Sequence, residues 1–348
     1  MARWSTYIVI LAGGDGGGLW PLSTVEHPKQ FVDFFGSRST LLQTTYARFA
    51  SLCPPEHIFV VTNRAYLDFV KQQLPDVDAR NILSEPCARG TAPSVAYASW
   101  RIKMLDPKAN VVVTPCDHVV ADVPAFREAL RKCLAFTAGT DAAVVLGVRP
   151  TAPETSYGYV HADLSSHSPR SKEIFRVDMF KEKPDAEWAE RNIALSSCFW
   201  NAGIYVWSVG TIVNAFRVYS PRIGRIFESI AHLYGTDEEQ PAIDARYPEC
   251  DRISLDCAIA EHLEEMYICP IDCGWGDIGS WQSVLMHGGR DVYGNSVTGD
   301  GARLYETHDS VVHVPDCERA VVQGLDGYVV AETDGELLVK SISCHLDL

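Results

Sequence analysis

The residues best equipped for chemistry are carboxylates and lysines that follow short apolar runs or glycine turns. Asp117 comes just after Val111-Val112-Val113-Thr114-Pro115-Cys116, and Asp277 lies in Cys273-Gly274-Trp275-Gly276-Asp277-Ile278-Gly279. A carboxylate at the carboxyl end of a strand is well placed to hold Mg²⁺ beside phosphates. Each also has a plainer use: Asp117 can cap the helix that follows it, and Asp277 can cap a helix beginning near Ser280. The two are far apart in sequence, so spacing does not join them. Lys29, in Pro28-Lys29-Gln30-Phe31, follows a glycine loop and can offer an ammonium to a nucleoside triphosphate.

That loop is Leu11-Ala12-Gly13-Gly14-Asp15-Gly16-Gly17-Gly18-Leu19-Trp20-Pro21-Leu22-Ser23. Glycines without a Cβ let backbone N–H groups approach phosphates or a base edge. A tight turn after a core strand is the other reading. No Gly-Lys-Ser/Thr follows, so it is not a P-loop, and Trp20-Pro21 spoils a dinucleotide-binding fingerprint. In Glu85-Pro86-Cys87-Ala88-Arg89-Gly90-Thr91, Glu85 can accept hydrogen bonds from a base and Arg89 can face phosphate or simply be a surface charge. Further on, Tyr157-Gly158-Tyr159, Glu182-Lys183-Pro184 and Trp200-Asn201-Ala202-Gly203 combine hydroxyl partners with apolar ring surface, as a sugar site requires. Each segment alone can also be an ordinary strand or charged hairpin.

The elements that must position these groups alternate. Strands are expected at Ile8–Leu11, Ile58–Thr62, Asn81–Ser84, Val111–Thr114 and Ala142–Val148. Helical spacing covers 40–50, 66–74, 92–105, with Pro93 in the first turn, and 120–138. This rhythm predicts an α/β fold, with a Rossmann-like mixed, mainly parallel sheet and ligands at the carboxyl ends of its strands. A helix is expected over 212–234, and another after Ser254 or Asp256 as cap. From Asp291 onward short β-rich pieces at 310–314, 320–322 and 328–332 alternate with Gly/Asp turns.

Composition narrows the class. The 348 residues include 47% hydrophobic and 22% charged, enough for a large core. A net charge of −15 argues against an extended nucleic-acid surface. The 11 cysteines contain no Cys-x-x-Cys pair, and Cys269 and Cys273 read as reduced thiols. No signal-peptide pattern opens the chain, and no apolar run reaches the ~18 residues that span a bilayer. The expectation is a cytoplasmic enzyme with no membrane partner.

In order along the chain, Leu11-Ala12-Gly13-Gly14 with Leu19-Trp20-Pro21-Leu22-Ser23 and Pro28-Lys29-Gln30-Phe31, Glu85-Pro86 with Thr91-Ala92-Pro93, Pro115 with Asp117-His118, Glu154-Thr155 with Tyr157-Gly158-Tyr159, Glu182-Lys183-Pro184, Trp200-Asn201 and Trp275 with Asp277 and Gly279-Ser280-Trp281 form a set. This set resembles the mannose-1-phosphate guanylyltransferases of the sugar-nucleotidyltransferase superfamily, over essentially the whole chain. The resemblance implies a GT-A-like nucleotidyltransferase domain over residues 1–289. It implies a small, left-handed β-helix-like domain over 290–348, used for subunit contacts in a homodimer. It stops short of the additional isomerase domain that some bacterial members carry. Mannose 1-phosphate would attack the α-phosphorus of GTP, giving GDP-mannose and pyrophosphate. Asp117 and Asp277 would hold Mg²⁺, Lys29 would face the triphosphate and Lys183 the sugar phosphate. Leu11, Gly13, Gly14, Glu85, Arg89 and Thr91 would seat the nucleotide. Tyr157, Gly158, Glu182 and Asn201 would bind the sugar.

One position departs from the family. Its loop carries an arginine just before Leu-Trp-Pro, and here that position is Gly18, with Asp15 at a usual serine. Losing a cation at a leaving group costs on the order of 10²–10⁵ in rate. Arg38 and Arg89 are the nearby cations that can compensate. The alternative is a catalytically weak or silent sugar-nucleotide-binding subunit.

Overall fold

The computed structural model describes residues 4–168 and 170–344. Two compact units divide the chain. The first takes in Met1–Gly13, Arg48–Pro115 and Val120–Trp275; the second Gly14–Ala47, Cys116–Val119 and Gly276–Leu348.

The first unit is built on a nine-stranded sheet. Four strands run parallel in the order Ile82–Glu85, Ile58–Asn63, Thr6–Leu11 and Asn110–Pro115. Cys198–Ser208 then lies antiparallel between Asn110–Pro115 and Ala143–Val148, and Met266–Ile271 runs parallel to Ala143–Val148. The hairpin Tyr159–Ser168 and Ser171–Lys181 closes the far edge. The inner strands are buried end to end, which is why they read as unbroken β-branched runs and not as alternating ones. The sheet is mixed and mainly parallel, as expected.

Helix Thr91–Leu105 shows how burial shapes sequence. Every residue from Ala92 to Ile102 is buried. A helix covered on all sides shows no polar stripe, and this one carries mostly small and apolar residues. Helix Val123–Thr137 is one-sided, burying Phe126, Leu130, Cys133 and Phe136. Its start corrects the expected 120–138: His118–Val120 is a short strand, and Asp122 caps the helix at Ala125 N, 2.9 Å away. The helix expected over 212–234 is divided into Val209–Tyr219, Pro221–Ser229 and a 3₁₀ turn Ala231–Leu233. Pro221 is the cause, since it pushes the preceding Ser220 out of the helical region (φ −134°, ψ 62°).

In the second unit, parallel rungs Ser296–Thr298, Val311–His313 and Tyr328–Thr333 stack as one face, and Ala302–Tyr305 and Ala320–Gln323 as another. This repetition is β-helix-like. Glu336–Ser341 folds back antiparallel on Tyr328–Thr333 through Asp334-Gly335, both at positive φ as a two-residue hairpin turn requires. The core of this unit gathers Leu19, Leu22, Phe34, Leu41, Ile278, Trp281, Val311 and Val329. Much of the Leu-Trp-Pro-Leu and Gly-Ser-Trp motifs is therefore packing, with Trp281 Nε1 donating to Trp20 O at 3.3 Å. Among the described residues no helix is long and apolar enough to cross a membrane.

Candidate active-site residues

The second unit brings Lys29, Asp117 and Asp277 together. Lys29 sits on a 3₁₀ turn, Lys29–Phe31, fixed behind Pro28. Its Nζ lies 2.8 Å from Asp117 Oδ2 and 3.6 Å from Asp277 Oδ1, and donates to Ile278 O at 2.9 Å. Ile278 N donates to Asp117 O at 3.2 Å, tying together the two segments that carry the carboxylates, Asp277 at the end of the short strand Trp275–Asp277. Neither aspartate caps a helix: Asp122 serves one helix, and Ser280 serves Trp281–His287 through a capping box.

The charges are mutually adjusted. Burial works to lower the Lys29 pKa, but Asp117 and Asp277 overcome it and hold the ammonium charged. Burial also opposes ionisation of Asp117, yet Lys29 and His118 keep its carboxyl below the usual range. Asp277 goes the other way, raised by burial and then by the Asp117 charge beside it. Asp117, His118 and Asp277 each offer one ligand atom within 4.8 Å of the others. Asp277 Oδ1 is buried and accepts no hydrogen bond. Two hard carboxylate oxygens around one cation suit Mg²⁺, whereas an imidazole does not.

In the first unit, Gly13 and Glu85 meet at the carboxyl ends of two strands that flank Ile58–Asn63: a Cβ on Gly13 would lie 2.9 Å from Glu85 Oε2. Leu11 ends its strand beside Val61. Thr91 Oγ1 accepts from Leu255 N at 2.8 Å, and Arg89 Nη2 donates to Pro248 O at 2.7 Å, so both are engaged by the chain itself. Gly14, in the second unit, accepts at its carbonyl from Gln30 Nε2 at 2.7 Å.

The residues expected to bind the sugar also lie in the first unit. A Cβ on Gly158 would meet Glu182 Oε2 at 2.7 Å and Asn201 Cβ at 3.3 Å, so this glycine is the close-approach position its neighbours need. Tyr157 stands edge-on to Trp200 at 5.1 Å. Asn201 is fully committed as a donor: Nδ2 bonds Tyr205 OH at 2.9 Å and Asp256 Oδ1 at 2.8 Å, while Gly203 N donates to its Oδ1 at 2.7 Å. Burial, then the charge of Asp256, pushes Glu182 up to about 7, with Lys183 pulling back. Lys183 is exposed, with Nζ 4.0 Å from Glu182 Oε1, and takes a φ of 41° that an L-residue before proline rarely adopts.

The chain is similar to known proteins. A nucleotidyl transferase family model covers residues 7–289. A mannose-1-phosphate guanylyltransferase from Escherichia coli is 33% identical, covering 98% of this chain and 75% of its own. The alginate biosynthesis protein AlgA from Pseudomonas aeruginosa is 31% identical across 95% of this chain and 68% of its own. The chain belongs to the nucleotidyl transferase family, in its mannose-1-phosphate guanylyltransferase branch. In three dimensions it is similar to the crystal structure of a mannose-1-phosphate geranyltransferase from Thermus thermophilus, with a TM-score of 0.84 and 31% identity over 97% of this chain and 95% of that one.

For this nucleotidyl transferase the loop of glycines is less free than its sequence suggests. Gly16 is buried, at φ 73°, and a Cβ there would lie 2.6 Å from Lys29 N and 2.8 Å from Pro28 Cα. Its carbonyl accepts from Ser23 Oγ. Gly18, where the resemblance leads one to expect an arginine, has φ 100°, and a Cβ would stand 2.9 Å from Gly279 O. Only Gly17 among the three has an ordinary backbone and open space around it. Arg38 is exposed, and its backbone N–H bonds Asp33 Oδ2 at 2.6 Å.

Sequence reasoning missed Asp256, Tyr205, Ser94 and Tyr247. Asp256 reads as a helix start, but Ser254 is the cap, with Cys257 N 3.1 Å away. That leaves the Asp256 carboxylate for Asn201 and Tyr205. Its position two residues past the true cap was the available signal.

Proposed function

We propose that this enzyme makes GDP-mannose and pyrophosphate from GTP and mannose 1-phosphate. The observation that carries the reading is Lys29 held between Asp117 and Asp277, at the positions where the branch's metal carboxylates and phosphate-facing lysine are expected. The sugar phosphate is already an anion, so no protein nucleophile is needed. Its oxygen forms the new bond to the α-phosphorus, and the bond from that phosphorus to the β-bridging oxygen breaks as pyrophosphate leaves. Catalysis is positioning and charge neutralisation. Asp117 and Asp277 would hold Mg²⁺, which would neutralise phosphate charge there. Lys29 keeps a permanent positive charge at the same point. Gly13 and Glu85 would receive the guanine edge. Gly158, Glu182 and Asn201 would shape the mannose pocket, Asn201 by fixing Tyr205 and Asp256. Lys183 would meet the sugar phosphate. On this reading residues 1–289 carry the chemistry, 290–348 are the small β-rich domain, and a homodimer forms.

A second reading, a weak or silent sugar-nucleotide-binding subunit, is favoured by one observation: the Gly18 backbone is not arranged for a side chain. A substrate panel separates the two. Pyrophosphate release is measured with GTP, ATP, UTP and dTTP against mannose 1-phosphate and glucose 1-phosphate. Turnover confined to GTP with mannose 1-phosphate supports the enzyme reading. GDP-mannose binding with no turnover in any combination supports the silent subunit.

A further inference from the structure

Glu85 is 5% exposed, and its two oxygens have different surroundings. Ser94 Oγ, from helix Thr91–Leu105, and Tyr247 OH, from the 3₁₀ turn Tyr247–Glu249, both donate to Oε1. Oε2 is turned toward Gly13. Tyr247 is wholly buried and packed edge-on to Phe227 at 5.9 Å, so its hydroxyl has one place to be. Two hydroxyl donors fill the lone pairs of Oε1 and fix the plane of the carboxyl, which leaves Oε2 as the free acceptor.

The electrostatics need those donors. Burial raises the Glu85 pKa above the ordinary carboxylate value, and the hydroxyls of Ser94 and Tyr247 limit that rise. A neutral carboxyl in one of its two orientations would present a proton where an acceptor is required. Guanine offers N–H donors at N1 and N2, whereas adenine offers a lone pair at N1 and would meet an acceptor oxygen with repulsion. A buried acceptor left unpaired by the wrong base is the strongest form of discrimination available to a binding site.

We propose that Tyr247 and Ser94 set base selectivity by clamping Glu85 as a single-orientation acceptor for guanine. This rests on the guanylyltransferase reading above. Both are positioning residues; neither touches the reacting phosphorus.

The test compares wild type, Tyr247→Phe and Ser94→Ala in steady-state kinetics with GTP and with ATP at saturating mannose 1-phosphate. Each variant removes one donor without removing packing volume of consequence. The expected result is a GTP KM raised about tenfold, kcat and the mannose 1-phosphate KM nearly unchanged, and a GTP-over-ATP preference reduced by a similar factor. An unchanged GTP KM and unchanged preference in both variants would overturn the clamp. So would a fall in kcat with both KM values and the base preference unmoved, since that is a structural defect. A wild type with no preference for GTP over ATP would overturn the guanylyl reading and the clamp with it. A GTP preference kept intact by both variants overturns the clamp alone.

Discussion

Lys29 Nζ stands 2.8 Å from Asp117 Oδ2, in a place where a second carboxylate, Asp277, is already raised in pKa by burial and by its neighbour. The lysine is thus the resident cation of a paired-carboxylate site. Lys29→Met should leave two partly buried like charges together and lower stability by about 3 kcal/mol. Mg²⁺ should then raise the melting temperature more in the variant than in wild type, because the competing ammonium is gone. Equal Mg²⁺ shifts in both proteins would count against a metal between these carboxylates.

Restoring the loop arginine is not a simple repair. At Gly18 the φ of 100° and the Gly279 carbonyl 2.9 Å from a Cβ oppose any side chain. Gly18→Arg should lose about 1–3 kcal/mol of stability and gain no rate. Gly17→Arg meets open space and should melt like wild type. If a cation for departing pyrophosphate is what the loop lacks, this variant raises kcat more than it lowers the GTP KM.

Glu182 makes stability depend on pH. Its folded-state pKa is about 7 against an ordinary 4.5, so between those values the folded chain binds the extra proton. Stability therefore falls as pH rises from 4.5 to 7, by up to about 3 kcal/mol, and the loss persists above 7. Glu182→Gln should flatten that part of the profile. Denaturant melts of both proteins at about pH 5 and pH 7.5 measure it, and parallel profiles would contradict it.

His313 has the opposite sign. It is 4% exposed in the strand Val311–His313, and its Nδ1 has no hydrogen-bond partner. Burial lowers its pKa from 6.5 to about 4, with Asp33 and Asp316 pulling upward. The unfolded chain binds the extra proton between these values, so stability is lost as pH falls from 6.5 to 4, again by about 3 kcal/mol. His313→Leu should remove that acid loss, read from melts between about pH 4 and pH 7.

Strands such as Val111–Thr114 were legible because their burial on both faces writes itself as a run of valines. Asp117 was legible as a strand-end carboxylate and Asp277 as a carboxylate in a glycine turn, but their meeting was not. It depends on Ile278 N reaching Asp117 O across a long sequence separation, which no local pattern encodes. The same holds for Tyr247 at Glu85, which sits in Tyr-Pro-Glu with no periodicity around it. Asn201 was visible as a polar residue in an aromatic strand. That its amide is committed to Tyr205 and Asp256 became clear only with their positions. The division of helix 209–229 at Pro221 was written in the sequence, since proline disfavours the helical conformation of the residue before it.

The most direct measurement is pyrophosphate release from GTP and mannose 1-phosphate as Mg²⁺ is titrated, in wild type and in Asp277→Asn. Asparagine keeps the shape of the side chain and removes the charge. The account predicts saturable, Mg²⁺-dependent release by wild type and a loss of about 10³-fold or more in the variant, with an unchanged far-ultraviolet spectrum and cooperative melt. Asp277→Asn turning over at the wild-type rate, or wild type releasing no pyrophosphate at any Mg²⁺ concentration, would contradict it.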